Sequence, residues 1–143
     1  MTTKNNLSRF LDAQAGDYET ALQEVKTGKK TGHWMWYIFP QIRGLGFSET
    51  SMFYAIQSQG EATAYLNHEI LGPRLVEICT ALLGLQTNNP VEIFGSVDSL
   101  KLQSSMTLFS LLEPTDPVFQ KVLDKFYGGK KDPNTIRLLK ESP

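Results

Sequence analysis

At 143 residues the chain has the length of one domain, and 41% apolar with 20% charged residues are the proportions of a packed globule, which excludes a disordered or fibrous chain. Fourteen basic against fifteen acidic residues leave a formal net charge of −1, so the electrostatic footprint of a nucleic-acid binder is missing at whole-domain level. The single cysteine, Cys79, leaves no internal disulfide; together with the lack of a signal-like leader or of the ~20 apolar residues of a membrane span, it points to a soluble cytoplasmic protein.

In chain order, Asn5, Asn6 and Ser8 are candidate caps for a short helix with Leu7, Phe10 and Leu11 on one face, which Gly16 is expected to break. Asp17 opens a second helix, in which Tyr18, Ala21, Leu22 and Val25 recur at i, i+3, i+4 and i+7, and Gly28 stands where a helix C-terminal glycine belongs. A basic connector, Gly28 to Gly32, leads into the stretch from Gly32 to Tyr54, which holds both tryptophans and seven of the fifteen aromatic residues. Aromatic side chains bury the largest areas, so this segment is expected to be the piece the other elements pack around. The run from His33 to Phe39 is too continuously apolar for a half-exposed helix. It reads as a buried helix of about two turns or a buried strand; helix is favoured because its surroundings are helical and a lone strand has no partner for its backbone donors. Pro40 ends it.

Gly44 and Gly46 imply a tight passage with positive φ at one of them. Ser48 is a cap for a short segment holding Met52, Phe53 and Ile56. After Ser58 a helix runs through Ala62, Tyr65 and Leu66. Pro73 suits the first turn of the next helix, with Leu75, Ile78, Cys79, Leu82 and Leu83 at helical spacing before Gly84. Asn89-Pro90 starts a brief helix ending at Gly95, with Glu92 placed to return a capping bond to Asn89. Ser96 starts another, whose apolar faces come from Leu100, Met106, Leu108, Leu111 and Leu112. Asp116-Pro117 leads into Val118, Val122, Leu123 and Phe126, closed by Gly128 and Gly129, and Asp132-Pro133 opens a last helix with Ile136, Leu138 and Leu139. Without any sustained alternation at period two, the pattern predicts an all-α fold: one compact domain over residues 1–143, with about seven helices around the Trp-rich segment 33–40.

Familiar chemical motifs are missing. A P-loop would need glycine and Ser or Thr where Gln23 and Lys30 stand, and a dinucleotide fingerprint would need glycine in place of Glu49. His33 and His68 with one cysteine assemble no zinc site, and no cofactor or metal is indicated. Cys79, on the apolar face of its helix, reads as a packed thiol. Trp34 and Trp36 are about 200° apart on a helix, so at least one belongs to the core, its indole N–H meeting Gln41, a carbonyl or a carboxylate. Arg43, next to Gly44 and Gly46, suits an anion, or else pins its loop to a carboxylate such as Glu61. His33 is open to a structural hydrogen bond or a ligand contact, His68 is a surface or capping residue, and Tyr54 and Tyr65 read first as amphipathic core members.

HWMWYIFPQIRGLG from His33 to Gly46, EATAYLNHEILGPRL from Glu61 to Leu75 and DKFYGGKKDPNTIRLL near the end resemble a family of small all-helical bacterial and fungal domains of unknown function, whose members often carry the label calpastatin. The resemblance covers nearly the whole chain. It implies a mainly helical fold and brings no activity with it.

For function, the residues support two readings. In the first, a pocket beside the aromatic stretch takes a small polar or anionic metabolite such as a nucleotide or an ADP-ribose-like molecule. Trp36 or Tyr54 would stack, His33 and Gln41 would hydrogen-bond, and Arg43 with Lys30 would meet the charge; His33 or Glu61 would be the acid or base if a reaction follows. In the second, the same surface is a protein- or peptide-interaction module without turnover. Neither nucleic acid nor membrane is an expected partner, and a monomer is favoured.

Overall fold

The computed structural model describes residues 6–142. Its first element, α1 (Ser8–Thr27), runs straight through Gly16, where two helices were expected. The reason is register: Phe10, Gln14, Tyr18, Ala21, Leu22 and Val25 form one buried stripe on both sides of Gly16. Burial of that stripe outweighs the ~1 kcal/mol that a mid-helix glycine costs. The helix starts at Leu7 without a side-chain cap, since Asn6 accepts a bond from the Ser8 hydroxyl instead; Asn5 lies outside the described residues. Gly28 closes α1 in the left-handed conformation at φ 84°.

The aromatic run contains a single helical turn, α2 (Met35–Ile38), shorter than expected because Phe39 leaves the helical region ahead of Pro40. Trp34, Met35, Ile38 and Phe39 are all buried, so this turn does sit in the core. Gly44 has φ 102°, which only glycine adopts without strain, and a Cβ there would come within 2.9 Å of Leu138. An isolated parallel bridge between Ile42 and Ile56 closes the following loop: the Arg43 amide donates to the Ile56 carbonyl at 2.9 Å and the Ile56 amide to the Gln41 carbonyl at 2.8 Å. Within the loop lies α3 (Glu49–Tyr54), capped by Ser48, whose hydroxyl accepts from the Ser51 amide at 3.1 Å. Ile56 falls beyond that helix, in the bridge. Met52 and Phe53 are exposed, and Phe47 is 82% exposed, so the aromatic stretch is only partly core.

Ser58 caps α4 (Gln59–Asn67), and the next helix is α5 (Leu71–Leu83). Gly72 sits so close to the end of α4 that a Cβ on it would lie 2.0 Å from the Leu66 carbonyl oxygen, which no side chain tolerates. His68 Nδ1 accepts from the Ile70 and Leu71 amides at 3.1 and 3.3 Å, an imidazole cap at the start of α5. Asn89 caps α6 (Pro90–Ser110), which is broken at Gly95 (φ 81°, ψ 169°), where one helix was expected to end and another to begin. Glu92 accepts from the Thr87 hydroxyl at 2.6 Å in place of the expected bond to Asn89. Leu100, expected on an apolar face, is 64% exposed.

Asp116 accepts from the first amide of α7 (Val118–Tyr127), and Asp132 caps α8 (Pro133–Glu141). The described residues thus form eight helices and no strand. α5 packs on α1, α4 and α7, and α6 packs on α7 and α8, around one continuous apolar cluster that runs from Phe10 to Leu139. Each fully buried Leu, Ile or Phe in such a cluster contributes about 1.5–3 kcal/mol. Cys79, at the centre and 3.6 Å from the Met106 sulfur, is buried, and burial pushes its thiol above the ordinary range, so it is a packed, unreactive group.

Candidate functional site

Two residues of the aromatic run divide the molecule's chemistry. Trp34, only 2% exposed, donates its indole N–H to Glu24 at 3.0 Å. The same carboxylate oxygen accepts from the Thr31 amide at 2.7 Å and the Gly32 amide at 3.0 Å. Burial alone would raise the Glu24 carboxyl, but these donors outweigh it and hold it at about 2. Glu24 therefore gathers the connector and Trp34 onto α1.

Trp36, half-buried, faces a cleft of about 420 Å³. One wall is Trp36, Gln41, Leu45 and Gly46; the other is the α6 face with Val97, Leu100, Lys101 and Ser104; Asp132 and Asn134 close one end. Val97, Leu100, Lys101 and Ser104 recur at i, i+3, i+4 and i+7, so one side of α6 is given to the cleft. The Lys101 ammonium stands 4.2 Å from the centroid of the Trp36 ring and 3.0 Å from Asp98. Asp98 also pairs with Lys30 at 2.9 Å; burial raises its carboxyl, and the two lysines outweigh that and hold it below the usual carboxylate range. Asp132 accepts from the Ser104 hydroxyl at 2.9 Å, the Thr135 hydroxyl at 2.6 Å and the Asn134 backbone amide at 3.3 Å.

Gln41 is the unusual member. The side chain is 7% exposed, yet its amide nitrogen has no hydrogen-bond partner. It lies between the cleft and a second, very small cavity of about 10 Å³ lined by Trp36, Ser51 and Tyr54. A buried amide without a partner costs about 1–3 kcal/mol, which marks it as a position where stability has been given up.

The sequence-predicted residues scatter around this centre. Trp36 and Gln41 line the cleft together, and Tyr54 lies behind them on the small cavity. Lys30 is tied to Asp98, with its ammonium 5.0 Å from the centroid of the Trp34 ring. Glu61 is buried in an ion pair with Arg9 at 2.8 Å and accepts from the Gln57 amide at 3.0 Å. Arg9, not Arg43, is thus the arginine that holds it, because Arg9 projects inward from α1 and also binds the Phe53 and Ala55 carbonyls at 2.7 and 2.9 Å. His33 and Arg43 are exposed and lie outside the cleft lining, while Lys29 lines a groove on α1 with Glu19 and Gln23. Sequence reasoning missed Lys101, Ser104 and Asp132. The α6 spacing is a readable signal, but Leu100 reads there as an apolar-face residue and Asp132 as a helix start.

Fold and cleft together define a small all-helical domain with one amide-bearing, aromatic-walled cleft at the junction of α2, α6 and α8. The chain belongs to the family described as "Protein of unknown function (DUF1810)", whose model matches residues 4–139. It is similar to the conserved hypothetical protein Rv1873 from Mycobacterium tuberculosis, known from a crystal structure at 1.38 Å: the two are 46% identical, the match covers 95% of this chain and 97% of that one, and the TM-score is 0.91. No curated protein matches the chain. Among the described residues no helix is long and apolar enough to cross a membrane, and no group of three or more His, Cys, Asp or Glu side chains is placed to hold a metal ion.

Proposed function

We propose that this protein binds a small polar metabolite of nucleotide or ADP-ribose type in the cleft beside Trp36. The observation that carries the reading is Gln41: an amide nine-tenths buried, with an unpartnered nitrogen, set beside a half-buried indole in a cleft of ligand size. In this reading Trp36 is the aromatic wall, Gln41 fixes orientation by hydrogen bonding, and Lys101 is the cation within reach. Lys30 serves indirectly by holding Asp98. His33 and Arg43 would meet only those parts of a ligand that extend past the cleft. With Asp132 held by three donors and Glu61 sealed in its ion pair, the reading is one of binding without turnover. A thermal-shift screen with nucleotides and ADP-ribose tests it: a true ligand at a hundred times its Kd adds about 2.7 kcal/mol, several degrees in Tm, and Gln41→Leu should cut that shift to about half or less. Wild-type protein unmoved by every compound would remove the reading.

A second reading has its own observation. Phe47, Met52 and Phe53 stand exposed on the loop that the Ile42–Ile56 bridge closes, which favours a protein- or peptide-interaction module. Phe47→Ser should then shift a concentration-dependent sedimentation coefficient; an unchanged monomer at all concentrations, with and without the substitution, would speak against self-association through this loop.

A further inference from the structure

We infer that the cleft recognises its ligand as an uncharged, planar nitrogen heterocycle bearing amide or amino groups, a nucleobase or nucleoside, and that phosphate contributes little to binding there. The inference rests on the reading of the cleft as a binding site and names the class of molecule it takes.

Charge is the first ground. The ionisable side chains lining the cleft are Lys101 and Asp132, one of each sign. Lys101 is held 3.0 Å from Asp98, so part of its field is already answered. The start of α8 also reaches the cleft, and a helix N-terminus is ordinarily a ready anion site. Here Asp132 occupies that position with its own carboxylate, accepting the Asn134 amide, and it would repel a phosphate brought to the same place. A phosphate in this cleft would find one shared ammonium and an opposing carboxylate.

Hydrogen-bond chemistry is the second ground. The remaining polar groups are amides and a hydroxyl: Gln41, Gln103, Asn134 and Ser104. One N–H of the Gln103 amide goes to the Lys130 carbonyl at 3.0 Å, which leaves its second N–H and its oxygen. Gln41 retains an unused donor. A carboxamide presents a donor and an acceptor side by side, the complement of a ring nitrogen next to an exocyclic amino group or of a lactam edge. Trp36 adds a face on which any such ring can stack whatever its substituents. About 420 Å³ accommodates a base with its sugar.

Isothermal titration of the wild-type protein with the four ribonucleosides and their 5′-monophosphates, each at low and at high salt, decides the matter. The expected result is at least one nucleoside whose Kd lies within about threefold of its monophosphate and is insensitive to salt, because no ion pair is being formed. Gln41→Leu should weaken that nucleoside by about tenfold or more with Tm unchanged or raised. A monophosphate bound tenfold or more tighter than its nucleoside, with affinity collapsing at high salt or in Lys101→Met, would overturn the inference while leaving the cleft a binding site. If none of the eight compounds binds, the reading of the cleft falls along with it.

Discussion

Trp34 and Trp36 are separated by one residue and live in different solvents. Trp34 is packed on Phe39 and Phe94, with ring centroids 6.2 and 6.4 Å away, and its N–H ends on a carboxylate that satisfies two backbone amides as well. Trp36 has a lysine over its ring, an open cleft before it and an unpartnered amide beside it. On the first side the indole N–H and the two connector amides are all answered by Glu24 from within the chain. On the second side the chain leaves a buried donor, the Gln41 amide nitrogen, unanswered beside an open cleft.

Substitutions can break that contrast. The largest effect should come from Trp34→Ala, which opens a cavity among Phe39 and Phe94 and orphans Glu24, at about 3–5 kcal/mol in denaturant unfolding; Trp36→Ala should cost only about 1 kcal/mol. Equal losses at the two positions would erase the distinction. Glu61→Gln leaves the Arg9 guanidinium buried without its counter-charge, and about 3 kcal/mol of lost stability is expected; a soluble, stable variant would return Glu61 to the list of chemical candidates.

Glu24→Gln removes the charge from three hydrogen bonds and should cost about 2 kcal/mol at neutral pH. The sign of its pH dependence follows from the folded carboxyl lying below its ordinary 4.5, at about 2. Its contribution is whole above 4.5 and is lost as pH falls from there towards 2, since the unfolded state takes up the proton first. Wild type should therefore lose stability over that window more steeply than Glu24→Gln does; parallel acid titrations of the two would contradict the assignment.

Gln41→Leu, on the other wall, should be neutral or stabilising by up to about 1 kcal/mol, because it deletes a buried donor that has no partner, while weakening the ligand response. A clear loss of stability would show that Gln41 is satisfied inside the fold. Smallest of all, His33→Ala and Arg43→Ala should each stay within about 0.5 kcal/mol of wild type, both side chains being exposed.

The caps at Ser48, Asn89, Asp116 and Asp132 were legible in the sequence, as were the backbone break at Gly95 and a positive φ at one of Gly44 and Gly46, because each is settled by a few neighbouring atoms. Gly16 misled for the complementary reason: its local cost was readable, but the buried stripe that overrides it takes its energy from α5, packed against α1 from more than forty residues away. The cleft was half legible. Trp36 and Gln41 could be singled out as polar and aromatic groups close together in the chain, whereas Lys101, Ser104 and Asp132 join them only through the packing of α6 and α8.

What the amino-acid sequence determined by itself was the class of the protein: helical periodicities, stops and caps act over a few residues, so they are written in local order, and they specify an all-α domain. Which tryptophan became scaffold and which became wall, which arginine took Glu61, and where an amide would be left without a partner were decided only in three dimensions. Those outcomes depend on which distant side chains arrive within about 3 Å, and hydrogen bonds and ion pairs form or fail at that range.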